Sequence, residues 1–232
     1  MSVYTTLTLK EVQDFAAPYG LEVIDLIPIQ GGIQNTNYFL VCKNGQQYVL
    51  TIFEEMDEQG AGELVPVLEH LGKAGLTVPV PLSHSGRSIQ TLKDKPAQIA
   101  PRMLGHHPMP STIGQVAEIG RAQAQMHVAL KDFPLERAEY RNHAYWRGVA
   151  RQIKPTLSPA DTVILNNLLG LYDALTAMYP NRPTGFIHSD LFRDNTLFDA
   201  DQLTGILDFY ELNKDEWLFD IAITINDFCT NY

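Results

Sequence analysis

The sequence predicts an α+β protein of two lobes: an antiparallel, β-rich N-terminal lobe over residues 1–100 and a mainly helical C-terminal lobe over 101–232. Three observations predict it. Short β-rich runs separated by turn residues fill most of the first hundred positions. Helical periodicity takes over after Gly105. Between them, residues 106–111 (HHPMPS) form a linker with two prolines, so the lobes join near residues 100–106.

A short helix is expected from Thr8 into Phe15, closed by Pro18 and Gly20. A strand follows at 21–29, then a glycine-led polar loop, Gly31-Gly32-Ile33-Gln34-Asn35-Thr36-Asn37. Residues 38–42 and 48–53 read as strands. Asn44-Gly45 between them is the type I′ hairpin signal, which needs two positive φ angles. Leu64, Val67, Leu68 and Leu71 recur at helical spacing up to a stop at Gly75, and Val78-Pro79-Val80-Pro81 is an extended connector. Strands at 88–92 and 97–103 flank a turn at 93–96. A long helix fits 112–130, with Ile113, Val116, Ile119 and Met126 on one stripe. Another fits 158–179, because Ser158 supplies an N-cap hydroxyl, Pro159 a first-turn proline and Asp161 an early carboxylate. Strand-like pieces at 185–187, 196–198 and 203–207 precede a last helix at 216–229.

Of the 232 residues, 45% are apolar, enough for a packed core, and 19% are charged, too few for a disordered chain. The 27 acidic residues outweigh 17 basic ones for a net charge of −10, which excludes a general binder of nucleic acid or anionic lipid. The counts also exclude collagen, coiled-coil and disulfide-scaffold classes. The first residues lack a basic region followed by an apolar one, so no signal peptide is expected. No apolar run approaches the roughly 20 residues of a membrane span. Cys42 and Cys229 sit in apolar patterns and are expected as buried free thiols in a reducing cytoplasm. With two cysteines and no histidine pair at ligand spacing, no structural zinc is expected. His106-His107 reads as a solvated turn.

The chemistry is concentrated in 186–210. Asp190 is followed by Asn195 five positions on and by Asp208 thirteen beyond that. The protein-kinase catalytic loop has this Asp-to-Asn step. Phosphoryl transfer needs a carboxylate at the attacking hydroxyl and oxygen ligands for Mg²⁺ on the phosphates. Mg²⁺ takes few protein ligands, so one amide carbonyl and one carboxylate suffice. Asp190 is therefore the candidate base or hydroxyl-orienting group, and Asn195 and Asp208 are the candidate Mg²⁺ ligands. Arg193 either faces the transferred phosphate or is a solvated cation. His188 is expected to bond backbone and hold the loop. The 31–37 loop lies between two strands, which argues against Walker A and Rossmann use. Its backbone N–H groups can lie over ATP phosphates, which makes Gly31, Gly32, Asn35 and Thr36 candidate nucleotide contacts.

The H-x-D-x-x-x-x-N loop from His188 and the I-x-D-F strand from Ile206 resemble the aminoglycoside-phosphotransferase/choline-kinase superfamily. Within it, GGIQNTNYFLV, YVLTIFE and FIHSDLFRDNTLFD through ILDFY, ending in LFDIAITINDFCTN, look like the bacterial homoserine kinases. The resemblance spans essentially the whole chain. It implies a two-lobed protein-kinase-like fold and ATP- and Mg²⁺-dependent phosphorylation of the homoserine side-chain hydroxyl, on the way to threonine. It also implies a small-molecule acceptor, with neither nucleic acid nor membrane as partner, and a cytoplasmic location. Adenine is expected near 98–103, with hinge hydrogen bonds from the backbone of Ile99 to Arg102. Asp220 is expected to brace the catalytic loop and His127 to be a core residue. Asn226, Asp227 and Arg193 are candidates for the acceptor's charges. Two departures stand out. Many relatives carry a third-strand Lys paired with a helix Glu; here Thr51 takes its place, which leaves Glu63 without its expected partner. Family members also run longer at the C-terminus, so the C-lobe is expected to be truncated. Other small-molecule acceptors, or a nucleotide-binding homologue without turnover, are the alternative readings.

Overall fold

In the computed structural model, residues 4–30, 34–137 and 142–230 are described. Thr8 starts the first helix, α1 (Leu9–Ala16), through a capping box: its hydroxyl accepts from the Glu11 N–H while the Glu11 carboxylate accepts from the Thr8 N–H. Gly20, at φ 73, ends the turn that follows.

Five strands form one antiparallel sheet, in the order β1 (Val23–Pro28), β2 (Asn35–Cys42), β3 (Gln47–Phe53), β5 (Lys95–Pro101), β4 (Gln90–Leu92). Side-chain alternation gives the sheet two faces. One, with Tyr38, Leu40, Leu50, Ile52, Ala97 and Ile99, packs on Val12 and Ala16 of α1. Each buried Leu or Ile side chain contributes about 1.5–3 kcal/mol. The other face carries Asn37 and Phe39, Val49 and Thr51, Gln98 and Ala100 in register.

Two turns differ from expectation. The Gly45 N–H donates to the Cys42 carbonyl and the Cys42 N–H to Gln46, both at 2.9 Å, and only Gly45 has positive φ. The loop is three residues long, so a type I turn closed by a glycine bulge replaces the two-residue I′ turn. The I′ geometry occurs instead at Lys93 and Asp94, with φ of 53° and 60°, joining β4 to β5.

Next come α2 (Glu58–Gly62), capped by Asp57, and α3 (Val65–Lys73), which buries Val67, Leu68 and Leu71 and stops before Gly75 as predicted. In α4 (Ile113–Leu130) the predicted stripe buries Ile119 and Met126, but Ile113, at the helix's first position, is 91% exposed. The helix α5 (His143–Ile153) was not anticipated; Asn142 caps it, accepting from the Tyr145 N–H at 3.0 Å. Ser158 starts α6 (Pro159–Met178) as expected, accepting from the Asp161 N–H at 3.1 Å. Along α6, Val163, Leu168, Leu171 and Met178 are exposed.

The last elements are β6 (Thr184–Ile187), β7 (Thr196–Asp199), β8 (Gln202–Ile206), β9 (Asn213–Glu216) and α7 (Trp217–Phe228). β6 pairs with β9, also unanticipated, and β7 pairs with β8. Cys42 is buried as expected, whereas Cys229, just past the end of α7, is exposed; both thiols are free. Among the described residues no helix is long and apolar enough to cross a membrane.

The chain divides into two compact units, residues 1–122 with 193–208, and 123–192 with 209–232. The first holds the five-stranded sheet and the β7–β8 hairpin. His106 and Phe198 exchange backbone hydrogen bonds of 2.8 and 2.9 Å, and the Ile206 N–H donates to Thr77 at 2.9 Å. The His106-His107 turn is exposed, as predicted, yet pinned: the His107 Nδ1 lies 3.0 Å from the Thr196 carbonyl oxygen. The second unit holds α5, α6, β6, β9 and α7.

Candidate active site

Within the first unit, the hairpin brings Asn195 and Asp208 to one end. Asn195 directly precedes β7 and Asp208 lies two residues past β8, with Thr196 opposite Ile206. The Leu207 N–H donates to the Asn195 carbonyl at 2.8 Å, closing the hairpin's open end between them. Thr196 anchors the turn ahead of it, its hydroxyl donating to the Arg193 carbonyl at 2.9 Å. Asp208 has φ 58, a left-handed conformation that costs a non-glycine residue about 1 kcal/mol or more. An amide oxygen and a carboxylate, with no sulfur or imidazole beside them in the sequence, form a donor set that fits Mg²⁺, whose other ligands are water and phosphate.

Asp190 belongs to the second unit, on the loop after β6. A buried network holds that loop. The Asp220 carboxylate, on the first turn of α7, accepts the Ser189 N–H at 2.9 Å, the His188 N–H at 3.4 Å and the His127 Nε2–H at 2.7 Å. Burial alone pushes the Asp220 carboxyl up, but the His127 hydrogen bond, the nearby His188 ring and the Ser189 N–H together hold it below the usual carboxylate range. His127 stacks on Trp217 at 5.2 Å. One turn further along α7, the Thr224 hydroxyl lies 3.3 Å from the Leu191 carbonyl oxygen and accepts from Gln123 at 3.0 Å. The His188 Nδ1 accepts the Asp190 N–H at 3.3 Å, which places the ring proton on Nε2. Asp220 and His188 therefore hold the loop, as expected from the sequence, and His127, buried as expected, adds its hydrogen bond to Asp220. Ser189, at φ 68, stores strain next to Asp190. Asp227, seven residues after Asp220, follows Thr224 along the same helical face; Asn226 beside it is exposed.

The nucleotide-contact candidates fare unevenly. Gly31 and Gly32 lie outside the described residues. Asn35 is 6% exposed. Thr36 faces α1: its hydroxyl accepts the Tyr4 and Thr5 N–H groups at 2.9 and 3.1 Å and donates to Glu54 at 2.5 Å. Strand alternation thus removes the Thr36 side chain from the opposite face. Ile99 is fully buried against α1, and its carbonyl accepts the Leu82 N–H of the connector ahead of β4 at 2.8 Å. The Arg102 N–H donates to Gln47 at 3.1 Å, its guanidinium also bonds the Gln47 side chain, and it lies 3.9 Å over the Phe39 ring.

Among the described residues no lysine replaces the missing cation near Thr51. Lys95 pairs with Glu54 and bonds Thr5 on the α1 face. Burial works to raise the Glu54 carboxyl, yet the Lys95, Thr36 and Thr5 hydrogen bonds bring it below its usual range. The Thr51 hydroxyl donates to Asn37 Oδ1 at 2.7 Å, and Glu63 makes no ion pair among the described residues. Sequence reasoning missed this pairing, although β2 and β3 were both legible and their register places Asn37 opposite Thr51.

Residues 25–232 match the phosphotransferase enzyme family. A homoserine kinase of Janthinobacterium sp. (strain Marseille) is 34% identical over 99% of this chain and 72% of its own length. One of Methylobacillus flagellatus is 36% identical over 100% and 72%. Among solved structures, amicoumacin kinase hAmiN in complex with AMP-PNP, Ca²⁺ and Ami superposes with a TM-score of 0.70 at 16% identity, covering 95% of this chain and 69% of that one. The GDP complex of a point mutant of aminoglycoside 2′-phosphotransferase-IIIa gives 0.71 at 18% identity, covering 95% and 78%. The fold is that of these kinases.

Proposed function

Because the chain belongs to the phosphotransferase enzyme family, and within it to the homoserine kinases, we propose that it transfers the terminal phosphoryl group of ATP to the side-chain hydroxyl of L-homoserine. The products are ADP and O-phospho-L-homoserine, an intermediate on the way to threonine. What supports the reading most directly is the Leu207–Asn195 backbone hydrogen bond, which brings Asn195 and the residue before Asp208 together at one hairpin end in a chain with these relatives.

The roles follow from each residue's chemistry. Asp190 orients the homoserine hydroxyl and takes its proton as the new P–O bond forms and the bond to ADP breaks. Its loop is held rigid by Asp220, so the carboxylate is positioned before substrate arrives. Asn195 and Asp208 would hold Mg²⁺, which when bound neutralises phosphate charge. Arg193 faces the transferred phosphate. Gly31, Gly32 and Asn35 cradle phosphates through backbone N–H groups, and the Arg102–Met103 backbone meets the adenine edge. Asp227 receives the acceptor's ammonium, with Asn226 at its rim. The reaction takes place in the cytoplasm.

A coupled ADP-release assay with homoserine, threonine, choline and kanamycin tests the assignment. Homoserine-dependent ADP release above the other three supports it; a preference for any other acceptor overturns it.

A further inference from the structure

The side of the sheet opposite α1 changes character along the strands. One level holds Phe39, Val49 and Ala100 side by side on β2, β3 and β5. The next level holds Asn37, Thr51 and Gln98, three uncharged polar side chains directly across from one another. Thr51 and Gln98 are 6% and 9% exposed. Such side chains are costly to bury without partners.

The hydrogen bonds of this row have a direction. Asn37 Nδ2 donates to the Asn35 carbonyl at 3.5 Å. Two acceptors cannot face each other, so that carbonyl fixes which end of the amide is nitrogen. Oδ1 then faces Thr51, whose hydroxyl must donate, at 2.7 Å. Among the described residues the second Nδ2 proton is left over. Gln98, nine-tenths buried, makes no side-chain hydrogen bond among the described residues. The row therefore offers two amide donors, on Asn37 and Gln98, with Thr51 orienting the first. Among the described residues the one cation on this face within the sheet's register is Arg102, two levels away and committed to Phe39 and Gln47.

We infer that Asn37 and Gln98 donate hydrogen bonds to the nucleotide's phosphates, with Thr51 as the positioning residue, so that an uncharged amide row does the work of a lysine. The apolar level suits an adenine face and the polar level suits the phosphates beyond it. A row of this kind orients phosphates without neutralising them, which leaves charge compensation to the metal.

The inference rests on the kinase reading, and the test separates the two. The Kd of Mg²⁺–AMP-PNP and of adenosine is measured by calorimetry for the wild-type chain and for Asn37→Asp, Gln98→Glu, Thr51→Val and Thr51→Ser. The first two keep size and shape while turning a donor into a charged acceptor. Asn37→Asp and Gln98→Glu should each weaken Mg²⁺–AMP-PNP at least about tenfold and leave adenosine within about twofold. Thr51→Val should weaken Mg²⁺–AMP-PNP, and Thr51→Ser should restore it. Equal weakening of both ligands, or of neither, overturns the inference. A wild-type chain that binds neither ligand overturns the kinase reading instead. Melting temperatures identify any variant that fails to fold, and the two acidic variants lie on different strands, so either alone decides.

Discussion

The Asp220 carboxylate accepts the Ser189 N–H at 2.9 Å, one residue before Asp190. The same carboxylate accepts the His127 Nε2–H at 2.7 Å. A fully buried group on the first turn of α7 thus sets the backbone of the loop that presents Asp190. Asp220→Ala leaves three donors without their acceptor. It should cost about 3–5 kcal/mol of stability, read as the shift in a urea unfolding midpoint.

The same carboxylate sets an acid limit. Its folded pKa lies below the unfolded value of about 4, so the stabilisation is complete above that pH. It fades as pH falls through the folded pKa. Melting curves of the wild type and of Asp220→Asn should therefore draw closer together as pH drops below about 4. A gap independent of pH across that window would count against the network.

Asp190→Asn keeps the side chain's size but not its basicity. It should lower kcat by about 10²- to 10⁴-fold while the KM for ATP changes little, as steady-state assays would read. A variant with wild-type kcat would remove Asp190 from the chemistry.

Asp208→Ala should abolish the dependence of nucleotide binding on Mg²⁺. In the wild type, EDTA should weaken AMP-PNP binding; in the variant, EDTA should change little, as isothermal calorimetry can show.

Gly105 has φ 138, and a Cβ there would meet the Thr204 hydroxyl and lie 2.9 Å from the Phe198 carbonyl oxygen. Gly105→Ala should destabilise the first unit by about 1–3 kcal/mol and lower its melting temperature.

Much of this was legible in the sequence because the signals are local. Ser158-Pro159 and Thr8 with Glu11 announce helix starts through their own hydrogen bonds. The 190, 195 and 208 spacing needs no tertiary knowledge, and the hairpin that holds two of these residues follows from short apolar runs. What was missed depends on distant partners. β9 has a polar sequence, Asn213–Glu216, and becomes a strand only by pairing with β6. Asn44-Gly45 carries the I′ signal, but strand register leaves a third loop residue and selects another turn. The direction of the Thr36 side chain was not legible either: its parity on β2 turns the hydroxyl toward α1. The Ile99 carbonyl likewise has a distant partner, the N–H of Leu82 seventeen residues earlier.

The central claim is phosphoryl transfer to homoserine, and ³¹P NMR of the chain with Mg²⁺, ATP and L-homoserine tests it most directly. The account predicts a growing phosphate-monoester signal that matches O-phospho-L-homoserine, in step with ADP and absent from Asp190→Asn. ATP left intact with homoserine, while threonine, choline or kanamycin gains a phosphate, would contradict it.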